Sequence, residues 1–113
     1  MESKAILRYN RQSPIKVRKV LDKIRGYNVR AATNYLRFSS EKASVAIEKT
    51  IRSAVANLMQ NDAASEIDPD LLKIKEAYVN QGPVMKRFRA ASMGRASRLR
   101  RPTCHLTIVL TSD

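Results

Sequence analysis

GPVMKRFRAASMGRASRLRRP, Gly82 to Pro102, lies between two strand-like segments, KIKEAYVNQ (Lys73–Gln81) and TCHLTIVLT (Thr103–Thr111). The stretch holds Lys86, Arg87, Arg89, Arg95, Arg98, Arg100 and Arg101 and no Asp or Glu. Its apolar residues, Val84, Met85, Phe88, Met93 and Leu99, keep no period of 2 or 3.6 that would bury a face. A segment of this kind cannot serve as core. Bracketed by strands, it reads as the long loop of an extended β-hairpin, and its cations read as a contact surface. Each limb of about ten residues reaches about 30 Å at roughly 3.3 Å per residue.

Working outward, the segment after the arm is the clearest strand of the chain. Cys104, Leu106, Ile108 and Leu110 alternate with Thr103, His105, Thr107 and Thr111, the period-2 pattern of a half-buried strand. Leu72–Gln81, rich in Ile74, Tyr78 and Val79, is its natural hairpin partner. Asn61 to Asp70 (NDAASEIDPD) is an acidic loop in which Pro69 bars helix continuation.

Upstream of that loop the pattern turns helical. Ile47, Ile51, Ala54 and Leu58 recur at helical spacing, and Ala43, Ala46, Ala54 and Ala56 allow close approach to a neighbour. The sequence predicts a core helix from Ser39-Ser40 to about Gln60, with Glu41 in its first turn. A shorter helix from Asn28 to Phe38 turns Val29, Ala32 and Leu36 inward. A third is opened by Ser13 as N-cap and Pro14 at the first helical position. It buries Val17, Val20, Leu21 and Ile24, and Gly26 closes it. Ser3 to Arg11 reads as the first strand, with Ala5, Leu7 and Tyr9 on one face.

The order strand, three helices, two strands joined by an arm predicts an α+β fold: three helices packed on a small three-stranded antiparallel sheet, with a long extended β-hairpin. At 113 residues the expectation is a single domain, with a globular body (1–81 and 103–113) and a protruding basic arm (82–102).

Charge narrows the function. The formal net charge is +12, and it gathers at the two ends. Residues 1–30 carry nine Lys/Arg against Glu2 and Asp22, residues 31–80 six against seven acids, and residues 81–113 seven against Asp113. An excess this local points to a polyanion, with nucleic acid the usual one. Lys16, Lys19 and Lys23 share one side of the first helix, which reads equally as a solvated face or a phosphate-binding one. Arginine dominates the arm, and its planar fork suits phosphate oxygens and stacks on bases. Small residues at the tip (Ala90, Ala91, Ser92, Gly94, Ala96) keep the arm slim enough to enter folded RNA. No recognition helix carries the arginines, so major-groove reading of DNA fits less well.

Other classes fail on inventory. Cys104 is the single cysteine and His105 the single histidine; adjacent on a strand, they point to opposite faces and cannot share a metal. Gly26, Gly82 and Gly94 form neither a phosphate-binding loop nor a dinucleotide fingerprint. Asp62, Glu66, Asp68 and Asp70 lack the register of a calcium loop. Neither an enzyme nor a cofactor nor a small-molecule substrate is expected. No apolar run is long enough to span a bilayer, the first residues do not read as a signal peptide, and the protein is expected to be soluble and cytoplasmic.

Three stretches resemble a known family: SPIKVRKVLDKIRG (Ser13 to Gly26), SAVANLMQN (Ser53 to Asn61) and GPVMKRFRAASMGRASRLRRPTCHLTIVL (Gly82 to Leu110). Within the last, Gly82-Pro83, Met85-Lys86-Arg87, Gly94-Arg95-Ala96 and His105 match the family pattern. The family is the bacterial-type large-subunit ribosomal protein numbered twenty-two. The resemblance implies a structural protein that binds large-subunit rRNA and supports assembly, its arm threaded through rRNA to the nascent-peptide exit tunnel. It implies ribosomal protein number four as a neighbour at the tunnel constriction and the nascent peptide as a passing partner. Met85, Ala90, Ala91, Ser92, Met93 and Gly94 become the tunnel-proximal tip, with Lys86, Arg87 and Arg95 close by. Lys16, Arg18, Lys19, Lys23 and Arg25 of the body join Lys86, Arg87, Arg89, Arg95, Arg98, Arg100 and Arg101 as the candidate RNA-binding set. Where the family often has Pro-Arg-Ala, this chain has Ala90-Ala91-Ser92, losing a stiffening proline and one charge. The alternative from the residues alone is a free-standing basic nucleic-acid-binding protein that compacts DNA or regulates.

Overall fold

The computed structural model describes residues 2–60, 68–90 and 96–112. Its elements are β1 (Glu2–Asn10), α1 (Pro14–Ile24), α2 (Val29–Phe38), α3 (Ala43–Met59), a 3-10 turn (Pro69–Leu71), β2 (Lys73–Gln81), β3 (Met85–Ala90), β4 (Ala96–Arg101) and β5 (Cys104–Thr111). The architecture is the expected α+β one. The acidic loop at 61–67 and the arm residues Ala91, Ser92, Met93, Gly94 and Arg95 lie outside the described residues.

The three-stranded sheet is antiparallel in the order β1-β5-β2. The best-patterned strand is thus the central one, and Cys104, Leu106, Ile108 and Leu110 are all fully buried. On its other face Thr107 is buried too, lying in register between Ile6 and Tyr78. The helices cover the first face: α3 lies on β1 and β5, α1 on β2, and α2 on α3. Val17, Val20, Leu21 and Ile24 of α1 interlock with Ile47, Ile51, Ala54 and Leu58 of α3 in one core. The expected close approach at an alanine occurs at Ala54, whose carbonyl accepts from Ser3 Oγ of β1 at 2.7 Å.

Three local expectations need correction. First, Tyr9 is not on the core face. The register of β1 slips between Leu7 and Asn10, Tyr9 takes φ +56°, and its ring is 64% exposed. The bulge turns its N–H onto His105 Nδ1 (3.1 Å) and its ring edge-on to the imidazole, centroids 4.9 Å apart. Second, α3 begins at Ala43 rather than at Ser39-Ser40, and Glu41 lies outside its first turn. Ser39 Oγ accepts the Glu41 N–H at 3.2 Å, a local turn that competes with helix capping. Third, Ser13 occupies the cap position of α1, but its side chain makes no capping bond. Asn28 does cap as expected, Oδ1 accepting from the Ala31 N–H at 2.8 Å.

The strands of the arm, β3 and β4, form a separate two-stranded antiparallel ladder. The β2–β5 ladder stops at the Gln81–Cys104 pair, and the next begins at Met85–Arg101. Pro83 and Pro102 stand in the gap, and neither can donate to a ladder. One backbone bond, Gly82 N–H to Thr103 O at 2.9 Å, spans it. The buried Thr103 adds Oγ1 to Pro83 O at 2.5 Å. Gly82 is needed here, since a Cβ would stand 2.6 Å from Thr103 Oγ1 and 3.3 Å from His105 Nε2. The radius of gyration is 17.2 Å, against about 13 Å for a compact chain of this length.

Candidate nucleic-acid interface

The cations of α1 fall on two flanks. At about 100° per residue, Lys16, Lys19 and Lys23 lie within a narrow arc on one side of the buried stripe, and Arg18 and Arg25 lie on the other. The structure gives the flanks different partners. Arg18 Nη2 donates to Val79 O at 3.0 Å. Arg25 donates to Ala77 O from Nε at 3.1 Å and from Nη2 at 2.7 Å. Its Nη1 meets Asp22 Oδ1 at 2.7 Å.

These bonds continue a line along the outer edge of β2. Val29 N–H donates to Leu72 O (2.7 Å) and Ile74 N–H to Tyr27 O (3.0 Å). From Leu72 to Val79 the edge is therefore met in turn by Val29, Tyr27, Arg25 and Arg18. Gly26, at φ +88°, makes the turn from helix to edge. Open carbonyls on a sheet edge are a template for wrong pairing, and the two guanidinium groups cover them. Of the five cations that α1 and its C-cap residue Arg25 give to the candidate RNA set, two thus already hold partners within the fold.

Lys16, Lys19 and Lys23 do not. All three are exposed, and none makes a hydrogen bond or ion pair to a described residue. Some cations elsewhere are paired: Glu48 takes Arg37 at 3.2 Å and Arg52 at 2.9 Å, and Glu2 pairs with Lys75 across the sheet. The lysine flank is thus an exposed cationic stripe with no acid partner among the described residues. In the arm, register sets Lys86 opposite Arg100, Arg87 opposite Leu99, Phe88 opposite Arg98, Arg89 opposite Ser97, Met85 opposite Arg101 and Ala90 opposite Ala96. Antiparallel pairing so brings five cations of the set, Lys86, Arg87, Arg98, Arg100 and Arg101, into four adjacent rungs of one ladder with Met85, Leu99 and Phe88.

Among the described residues, burial sets the state of the single cysteine. Burial pushes the Cys104 thiol up, against a weaker opposing contact from Asn10 Nδ2 at 3.7 Å. A raised thiol is a protonated and unreactive one at neutral pH. Among the described residues no three His, Cys, Asp or Glu side chains come together as a metal site, and no helix is long and apolar enough to cross a membrane.

The profile of the family described as ribosomal protein L22p/L17e matches residues 5–111. The chain belongs to this family of ribosomal proteins. It is 48% identical over 111 residues to the large ribosomal subunit protein uL22 of Trichodesmium erythraeum, covering 98% of this chain and 91% of that protein. The uL22 of Syntrophotalea carbinolica is 50% identical, with 97% of each chain covered. That of Microcystis aeruginosa is 47% identical over 96% of this chain and 89% of its own. The bounds of the family match enclose α1, most of the sheet and the arm.

Two features of the site went unread in the sequence. The edge-binding role of Arg18 and Arg25 had one available signal, their seven-residue spacing on the flank opposite the lysines. Phe38, 90% exposed at the end of α2, had the signal of falling outside the Val29–Ala32–Leu36 stripe.

Proposed function

We propose that the chain is a structural constituent of the large ribosomal subunit, not an enzyme, acting in the cytoplasm as part of the ribosome. It binds large-subunit rRNA with Lys16, Lys19 and Lys23 and with the arm cations Lys86, Arg87, Arg89, Arg95, Arg98, Arg100 and Arg101, and it supports subunit assembly. The arm tip, Met85 and Ala90 to Gly94, lines the nascent-peptide exit tunnel beside ribosomal protein number four. The observation that carries this reading is the match of residues 5–111 to a ribosomal family, joined to an arm with seven cations and no acid. The chain folds as one domain, with a body of residues 1–81 and 103–113 from which the arm of residues 82–102 projects. Phosphate contacts by so many cations release counterions, so rRNA affinity should fall steeply with salt.

Sucrose-gradient sedimentation of cell lysate tests the reading. Co-sedimentation with large subunits at one copy each is the expected result. Spread across DNA and RNA fractions would favour a free-standing nucleic-acid-binding protein instead. Deleting residues 85–100 should leave the far-ultraviolet circular dichroism of the body intact while preventing stable incorporation. Global unfolding of that deletion would overturn the division into body and arm.

A further inference from the structure

The lysine flank of α1 leads to a second feature that the fold does not use. Lys23, at its end, lines an open groove of about 530 Å³ with Asn34, Tyr35 and Phe38 of α2 and Ser40 and Glu41 beyond it. Tyr35 packs partly on the core. Phe38 does not: the residue is 90% exposed, two positions past the buried Leu36 and on the outer side of its helix. A bare phenyl ring beside an unpaired lysine stripe, over a floor of amide and hydroxyl groups, is a poor match for an apolar protein surface. It has the parts of a single-strand nucleic-acid platform, which joins a cationic track for the backbone to an aromatic face for a base.

We infer that this groove takes one unstacked nucleobase of single-stranded or bulged RNA, stacked on Phe38, while the neighbouring phosphates follow Lys23, Lys19 and Lys16. The charges fix the direction. The C-terminal end of α2 and the Glu41 carboxylate repel phosphate, so the sugar-phosphate backbone keeps to the α1 side and only a base crosses to the ring. Asn34 and Ser40 offer donors and acceptors to a base edge, and Glu41 an acceptor for an exocyclic amino group. The inference rests on the reading of the chain as an RNA-binding protein and extends it to a residue outside the arm.

The chain has no tryptophan, so Phe38→Trp in the full-length protein gives a single reporter at a site exposed enough to accept it without repacking. The probe is an unstructured 12-nucleotide RNA, with the same sequence as a blunt duplex for comparison. Binding of the single strand should quench the Trp emission and shield it from acrylamide. Phe38→Ala should weaken the single strand roughly fivefold or more, the loss of one stacked base. It should change duplex affinity less than twofold and leave the salt slope unaltered. Full-affinity binding by Phe38→Ala, with the Trp unquenched, would overturn the inference and leave the RNA-binding reading standing. A Trp emission that shifts with protein concentration in the absence of RNA would overturn it by assigning the groove to a second copy of the chain. Failure of the wild type to bind either RNA would remove the reading on which it rests.

Discussion

Helix α1 carries cations on both flanks of one buried stripe, and the two flanks have different work. Arg18 and Arg25 face the sheet and donate to Val79 O and Ala77 O of the β2 edge. Lys16, Lys19 and Lys23 face away and meet nothing in the described fold. The division follows the chemistry of the two side chains. A guanidinium is planar, carries five donors and tolerates partial burial, so it can satisfy fixed carbonyls; an ammonium is strongly hydrated and mobile, better suited to phosphates that arrive later. Charge alone therefore misreports what a basic helix offers a polyanion.

The largest effect should come from removing the arginines together. Arg18→Ala with Arg25→Ala strips three hydrogen bonds from an edge that water can partly re-solvate, for a loss of about 2–3 kcal/mol, measured by urea denaturation. Its RNA affinity, measured where the protein is folded, should stay within about twofold to threefold. A stable double variant that binds RNA poorly would reverse the assignment of the flanks. Next, Lys16→Gln, Lys19→Gln and Lys23→Gln together should weaken RNA binding roughly tenfold and flatten the slope of log K against log salt by about 2. The urea midpoint should not move, and a destabilised triple variant would show that the lysines belong to the fold. Gly26→Ala should cost about 1–2 kcal/mol of stability with no change in RNA binding, because the turn from α1 to the β2 edge needs a left-handed residue. A Cβ there would meet nothing within 4 Å, so conformation and not crowding sets the loss. The smallest effect is Arg25→Lys, about 0.5–1 kcal/mol, since one ammonium cannot replace the two donors on Ala77 O. Thermal melts of this variant against Lys23→Arg, which should melt like wild type, sharpen the contrast to one position on each flank.

Much of the fold was legible because hydrophobic period reports burial directly. Val17, Val20, Leu21 and Ile24, the Ile47–Leu58 series and the alternation of Cys104 to Leu110 all lie where their spacing puts them. What the pattern cannot hold is tertiary choice. Tyr9 continues the alternation of Ala5 and Leu7, yet a bulge set by pairing with β5 turns it outward. Ser39-Ser40 has the composition of a helix cap, yet Ser39 closes a turn of its own. In the candidate site, period places both cationic flanks beside the same apolar stripe. Which flank meets the sheet depends on β2 lying beside α1, a contact between residues more than fifty positions apart in sequence. Phe38 escaped for the opposite reason: it falls off the Val29–Ala32–Leu36 stripe, and period reports what a residue buries, not what an exposed ring is for.

The joint at Gly82, Pro83, Pro102 and Thr103 has a mechanical consequence. Because two prolines interrupt the ladder, the arm and the body sheet are separate ladders joined by one backbone hydrogen bond, and the arm is a lever mounted on a narrow pivot. The six-residue strand Met85–Ala90 spans about 20 Å, so a rotation of about 5° at the pivot swings its far end by almost 2 Å. The buried Thr103 hydroxyl, bonded to Pro83 O, and the side-chain-free Gly82 pack against each other at that pivot. The root of this arm thus rests on two residues that carry no charge at all.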